Sequence, residues 1–465
     1  MSASSPPIDP SGSAAHPAMA GRVEPIRAGG TLKPVASGRA TVRPAPVATL
    51  TAGPTTASEG VPAGTERATG IDTDPAPRSR GRLTILQVVP RLDLGGVERG
   101  TVEIAEAIMA AGGRALVATE GGQLAPRIER AGGEIVELNA ATKNPLNIWQ
   151  NAGILEDLIR EEGVDLVHAR SRAPAWSAKW AARRTGTPFV TTYHGSYGEG
   201  LPLKRLYNSV MASGRPVIAI SEFIRALVLE RHRVPADQVV VIPRGADLDA
   251  FSEDVVSGGR TALLAEAWGL LDDSRPIVML PGRLTRWKGG ETVIAAARAL
   301  MRDGQPPDML FLLVGHDGGS GYGERLERMI EAAGVGAFVR LTGAVTDMPA
   351  AYKLASIVLS ASLEPEAFGR VAVEAQAMGR LVIATDHGGA RETVAHGETG
   401  WLVPPGDAQA LAGAIREALA MDPSARAHMR MSARARVSAR YTVQNMQRAT
   451  LAVYERATGR LFGAA

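Results

Sequence analysis

The chain has 465 residues, 45% of them hydrophobic and 21% charged, with a formal net charge of only +3 and no cysteine. The lack of cysteine excludes disulfides, thiol catalysis and cysteine-ligated metal, and acids interleaved with bases argue against a nucleic-acid partner. No apolar run reaches the roughly 18 residues that a membrane span needs, so the protein is not expected to be integral to a membrane.

Residues 1–80 hold about a dozen of the 30 prolines and no periodic apolar pattern, so a disordered tail is expected there. The tail lacks the apolar core of a secretory signal. A cytoplasmic protein is expected, with the inner face of the membrane within its range.

From Leu83 onward, short apolar runs alternate with helical stretches. Strands are expected at Leu83–Val89, Ala115–Thr119, Glu134–Leu138, Asp165–Ala169, Phe189–Tyr193, Val217–Ile220 and Val239–Ile242, with helices at Val97–Ala111, Asn147–Glu162, Ala173–Arg184 and Glu222–Arg231. This alternation predicts a parallel sheet covered on both faces. After a polar, Gly-containing stretch around 252–275 the rhythm restarts, with strands at Ile277–Leu280, Leu310–Val314, Val339–Leu341, Ile357–Ser360 and Leu381–Thr385 and helices at Glu291–Arg302 and Arg370–Met378. About 385 residues exceed what one core usually serves. The expected plan is therefore a tail (1–80), a first doubly wound domain (81–260), a second (270–440), and a last helix (441–465) returning to the first.

In the first domain, Gly95-Gly96 joins a buried strand to a helix, where glycines let a ligand approach the backbone. Turn geometry alone accounts for the pair equally well, and there is no Gly-Lys-Ser/Thr of a phosphate-binding loop. His194 ends the strand Phe189–Tyr193 at a carboxyl edge. It suits a partly buried, satisfied histidine as well as a role toward a sugar or acceptor.

In the second domain, Gly282-Arg283-Leu-Thr-Arg-Trp-Lys288-Gly289 follows a buried strand, at the sheet edge where open parallel sheets place ligands. Arg283 and Lys288 could each be solvated surface charges; together, in phase with the acidic motif downstream, they suit a leaving diphosphate. Gly315, in Val314-Gly315-His316-Asp317-Gly318-Gly319, opens a loop able to approach a nucleotide. The segment Glu366-Ala-Phe368-Gly369-Arg-Val-Ala-Val-Glu374 sets a glycine at a helix start between two carboxylates. A helix beginning near Gly369 would turn its free N–H groups toward an anion. Eight residues of helical rise, about 12 Å, span the reach from a sugar to a ribose. Ion pairing on the helix surface is the plainer reading of each glutamate, but carboxylates also suit vicinal hydroxyls because they accept two hydrogen bonds at once. The scattered histidines show no metal-ligand spacing.

Taken in order, Gly95-Gly96-Val-Glu98, His194-Gly195, Pro243-Arg-Gly-Ala-Asp247, Gly282-Arg283, Lys288-Gly289, Glu366 to Glu374, Gly388-Gly389 and Gly400 to Asp407 resemble the retaining family-4 glycosyltransferases of the GT-B fold, over Leu83 to about Arg456. The resemblance implies two Rossmann-like domains facing a cleft, the donor held mainly by the second and the acceptor by the first. It implies Arg283 and Lys288 on the diphosphate, Glu366 on donor-sugar hydroxyls and Glu374 on the ribose. Backbone near Phe368 and Gly369, with Gly282 and Gly315, would line the donor, and Gly95, Gly96 and His194 the acceptor or sugar side. No cofactor or metal is implied; a nucleoside-diphosphate sugar of UDP or GDP type is the substrate. A glycan or lipid-linked acceptor of the lipopolysaccharide type is expected; Lys179, Arg183, Arg184, Lys204 and Arg205 read first as solvated surface charges, with contact to an anionic membrane as the other reading. Ala390-Arg391-Glu392 departs from the commoner pattern, which has a proline before the acid, and this bears on donor-sugar choice. The rival readings are a related epimerase or phosphorylase, or a non-catalytic nucleotide- or glycan-binding member of an assembly complex.

Overall fold

Buried apolar runs build two sheets in the computed structural model, which describes residues 42–43, 82–93, 95–198, 202–302 and 304–463. Strands β1 (Val42–Arg43), β2 (Thr84–Val88), β3 (Arg114–Thr119), β4 (Glu134–Glu137), β5 (Leu166–Ala169), β6 (Phe189–Tyr193), β7 (Val217–Ala219) and β8 (Val239–Val241) make the first sheet, in the order 1-4-3-2-5-6-7-8. The second contains β9 (Ile277–Pro281), β10 (Leu310–Val314), β11 (Val339–Gly343), β12 (Ile357–Ser360), β13 (Leu381–Thr385) and β14 (Trp401–Val403), in the order 11-10-9-12-13-14. All pairings are parallel except β1 with β4. Strands such as β2, β9, β10 and β13 are buried at every residue, because helices cover both faces of a parallel sheet. Each sheet reverses its winding once, at β2/β5 and at β9/β12. Those two points carry the ligand crevices of a Rossmann-like domain.

Apart from Val42–Arg43, the expected N-terminal tail lies outside the described residues. The polar stretch expected between the domains contains a helix, Gly258–Ala267, started by Ser257, whose side chain accepts the Arg260 N–H. The helical region from Ala408 divides into Ala408–Ala420, Pro423–Arg440 and Val443–Thr458. The chain returns to the first domain beside Gly245, where Ala246 N donates to Tyr441 O and Val443 N donates to Ala246 O. A Cβ on Gly245 would lie 2.2 Å from the Thr442 carbonyl carbon, so only glycine permits this crossing. The last helix then packs on the helix Gly96–Ala110. Gln447 donates to the Glu103 carbonyl at 2.7 Å, and the Tyr454 hydroxyl lies 2.6 Å from His168 Nδ1.

The domains also meet at the helix Glu222–Arg231. Ser221 Oγ donates to the Ala367 carbonyl at 2.6 Å, while the N–H groups of Glu222 and Phe223 donate to the Glu392 carboxylate at 2.9 and 2.7 Å. A carboxylate from the second domain thus satisfies two of the free N–H groups of a first-domain helix.

Candidate active site

The second sheet's switch point gathers most of the expected donor-side residues. After β9 the chain makes a tight turn, Arg286–Lys288, and Gly289 takes a left-handed conformation (φ +79°). A Cβ there would strike the Ala361 carbonyl, so this glycine lets the turn lie against the loop that follows β12. Leu363 N donates to Trp287 O at 2.6 Å and joins the two loops. Lys288 Nζ consequently reaches Glu366 Oε1 at 2.6 Å and sits 4.2 Å from the Trp287 ring centroid. Ser362 Oγ donates to the same Glu366 oxygen at 2.5 Å. Both charged side chains are largely buried, at 18% and 13% exposure. Burial pushes the Glu366 carboxyl up, but Lys288 and Ser362 outweigh it and hold the group below the usual carboxylate range.

Arg283, by contrast, is exposed and has no hydrogen bond or ion pair among the described residues. It leaves β9 beside Gly282 (φ +136°), whose carbonyl is approached so closely by Gly315 that a Cβ on Gly315 would lie 1.8 Å from it. Gly315 therefore has a demonstrable backbone role, holding the ends of β9 and β10 together. The loop beyond it folds on itself: His316 Nδ1 accepts the Gly318 N–H, and Asp317 accepts those of Gly319 and Gly323.

Gly369 (φ +91°) precedes the helix Arg370–Ala377, and no side chain among the described residues caps that helix start. Glu366 thus lies in the loop before the helix and Glu374 inside it, so the eight-residue spacing is only partly helical. Gly389 packs on Phe368, where a Cβ would come within 2.5 Å of Phe368 Cα, and Gly389 N donates to Glu366 O at 2.8 Å. The Phe368 side chain is buried edge-on against Tyr441.

Glu374 is buried. It accepts the Tyr352 hydroxyl at 3.1 Å and lies 3.9 Å from both Arg370 of its own helix and Arg99 of the first domain. Burial pushes its carboxyl up, against the pull of Arg370, Arg99 and Tyr352. The two glutamates are therefore shifted in opposite directions by their surroundings.

On the first-domain side, Gly95 precedes the helix Gly96–Ala110, again with no side-chain cap, and a Cβ on Gly96 would meet open space. His194, just past β6, lies 3.0 Å through Nδ1 from the Arg244 guanidinium, which also donates to the Gly96 carbonyl at 3.1 Å. Burial beside Arg244, Arg170 and His168 holds the His194 ring well below the ordinary histidine range, and hence neutral. Among the described residues no set of three or more His, Asp or Glu side chains is disposed to hold a metal ion.

Two family profiles match the chain: "Glycosyl transferases group 1" over residues 267–436 and "Glycosyltransferase Family 4" over residues 94–250. The GDP-mannose-dependent alpha-(1-6)-phosphatidylinositol monomannoside mannosyltransferase of Mycolicibacterium smegmatis is 30% identical over 295 residues, 61% of this chain and 74% of the relative. The chain belongs to glycosyltransferase family 4. A D-inositol 3-phosphate glycosyltransferase of Xylanimonas cellulosilytica is 31% identical over 335 residues, 66% of this chain and 76% of the relative. Among solved structures, a glycosyltransferase from Rickettsia africae aligns with this family-4 glycosyltransferase at a TM-score of 0.74 and 35% identity, covering 81% of this chain and 99% of that one. Anabaena HepE in complex with UDP-glucose aligns at 0.69 and 25% identity, over 81% and 100%. The fold is therefore GT-B, and the enzyme is a sugar-nucleotide-dependent transferase.

Residue patterns alone do not single out Arg99, Ser362, Tyr352, Arg370 or Arg244 as neighbours of this site. Two of them had a visible signal: Arg370 stands inside the Glu366–Glu374 segment, and Arg244 inside Pro243–Asp247.

Proposed function

We propose that this glycosyltransferase transfers a sugar from a nucleoside-diphosphate sugar to an acceptor hydroxyl with the anomeric configuration kept. The observation that carries this reading is the Lys288–Glu366 contact beside the uncapped start of the helix Arg370–Ala377, with unpartnered Arg283 close by in the chain. In the reading, Arg283, Lys288 and the amides after Gly369 stabilise the departing diphosphate. As the bond from the anomeric carbon to that phosphate breaks and the bond to the acceptor oxygen forms on the same face, the phosphate oxygen takes the acceptor's proton. Glu366, already engaged by Lys288 and Ser362, orients sugar hydroxyls and does not attack. Glu374 serves the ribose, exchanging its Tyr352 contact for the hydroxyl pair.

For the donor, UDP or GDP is supported by the relatives' names, one GDP-mannose-dependent and one solved with UDP-glucose. For the acceptor we favour a lipid-linked or surface-glycan alcohol. A strip on the first domain supports docking at an anionic membrane: Trp149 is 59% exposed, and it lines a groove with Trp180, Arg183 and Arg184. Trp180 lies 5.9 Å from Trp176, which is bonded to the Tyr207 carbonyl beside exposed Leu203 and Leu206. Aromatic residues mixed with cations suit the headgroup layer. No helix among the described residues is long and apolar enough to cross a membrane. The place we propose, on the strength of this strip, is the cytoplasmic membrane surface.

The test is a thermal-shift screen of UDP- and GDP-sugars, followed by transfer of radiolabelled sugar onto membrane extracts and assignment of the product anomer by NMR. Inversion of the anomer overturns the mechanism. Epimerised donor, or glycan consumed without a new acceptor linkage, selects a rival reading.

A further inference from the structure

Arg244 follows β8 and is buried, with its guanidinium lodged beneath the helix Gly96–Ala110. Gly100 makes that position possible, since a Cβ there would lie 1.8 Å from one guanidinium nitrogen. The head group reaches three elements at once: the Gly96 carbonyl at 3.1 Å, Met446 Sδ of the last helix at 3.6 Å, and His194 Nδ1 at 3.0 Å. A guanidinium carries donors only. His194 Nδ1 must therefore accept, which puts the proton of the neutral ring on Nε2. That nitrogen is buried and has no hydrogen-bond partner among the described residues. His194 and Arg244 both stand at the carboxyl edge of the first sheet, where a ligand of a parallel sheet binds.

We infer that Arg244 is a positioning residue that fixes His194 as an Nε2–H donor to a hydroxyl oxygen of the sugar or of the acceptor alcohol. This rests on the reading that places sugar and acceptor beside Gly95, Gly96 and His194. The remaining groups facing His194 agree with a neutral donor. Arg170 and His168 on and after β5 oppose a second proton, as Arg244 does, and the Tyr197 hydroxyl engages the His194 backbone N–H. Burial lowers the Arg244 guanidinium itself to about 9, which leaves it charged at neutral pH. A neutral imidazole suits a neutral hydroxyl, and the orphan nitrogen gains its partner only when substrate is present.

The experiment is nitrogen NMR on the full chain labelled at histidine, without substrate, with His194→Gln supplying the assignment. Wild-type His194 is expected to hold its proton on Nε2 from pH 5.5 to 8, and Arg244→Lys, which removes the fork but keeps the charge and the burial, is expected to mix the two tautomers of a ring that stays neutral. A proton on Nδ1 in the wild type, or an Arg244→Lys spectrum identical to wild type, overturns the proposal, and the first of these needs no variant to fold. In kinetics, Arg244→Lys should lose about tenfold in kcat/KM at every pH from 5.5 to 7.5, because the wrong tautomer cannot donate from Nε2. Loss in both donor hydrolysis and transfer assigns the donor-sugar hydroxyl; loss in transfer alone assigns the acceptor; loss in neither overturns the role. The expected tautomer in a protein inactive with every sugar nucleotide would instead sink the transferase chemistry on which the role depends.

Discussion

Lys288 and Glu366 are 78 residues apart in sequence, and their charged atoms lie 2.6 Å apart at the end of β9. Arg283, five residues before Lys288, has no such partner among the described residues. The two cations therefore separate activity from stability. Removing Lys288 leaves a carboxylate buried without its counter-ion, a loss of about 3 kcal/mol in a well-buried pair, whereas removing an exposed, unpaired arginine changes stability by about 0.5 kcal/mol or less.

Lys288→Ala is thus expected to lower both the melting temperature and turnover. Arg283→Ala should lower turnover by about 10²-fold and leave the melting temperature nearly unchanged. Urea unfolding and steady-state kinetics on both variants check this. Full activity in either variant removes that cation from the leaving-group site.

His168 is buried and His194 half-buried, and both are held neutral, His168 between the Tyr454 and Thr192 hydroxyls at 2.6 and 2.7 Å. Burial is the chief cause in each case. Their folded pKa values are depressed, so as pH falls through about 6.5 the unfolded chain binds protons that the folded chain refuses. Stability is full above that pH and declines below it, by up to about 1.4 kcal/mol per histidine for each pH unit. Glu374, shifted upward, acts in the opposite sense, so between pH 7.5 and 5.5 the histidine contribution is read from the difference between wild type and His168→Gln. Unfolding free energies measured across that window should fall for wild type and fall less for His168→Gln, provided that variant folds. A flat wild-type profile would contradict the buried neutral rings.

Glu392 caps the helix Glu222–Arg231 from the opposite domain, and its own carbonyl accepts from Arg436 and Tyr441 at 2.7 Å each. Glu392→Ala should cost about 1 kcal/mol, the usual worth of a helix cap. It should also loosen the domains, seen as a larger radius of gyration in solution scattering. An unchanged radius would mean that Ser221 and the crossing chain hold the domains by themselves.

Trp149→Ser combined with Leu203→Ser should weaken binding to vesicles containing anionic lipid, chiefly in the part that survives high salt, and should weaken binding to neutral vesicles as well. Cosedimentation at low and high salt measures both terms, because the cationic contribution is screened and the apolar one is not. Equal binding by wild type and variant would remove the strip as a membrane surface.

The strands were readable because a parallel sheet buries both faces and so writes continuous apolar runs; Leu310–Val314, Ile357–Ser360 and Leu381–Thr385 coincide with β10, β12 and β13. β14 was not readable, because three residues carry no period. The helix Gly258–Ala267 escaped notice because its burial is slight, with Leu263 69% exposed. In the site, the meeting of Lys288 with Glu366 was foreshadowed by glycines that permit close loops. Glu392 was legible only as a departure from a pattern, and it bears on domain contact, since its partners are backbone N–H groups 169 and 170 residues away. Periodicity has no term for such a pairing. Arg99 was hidden for the same reason.

The return of the last helix gives the protein an order of assembly. A ribosome delivers β5 long before Tyr454, so during synthesis His168 waits with one of its two hydroxyl partners missing and the flank of the first sheet unsealed. The N-terminal half, first to emerge, is therefore last to be finished, and a nascent chain stalled before Tyr454 offers chaperones and proteases an open seam that the completed enzyme conceals.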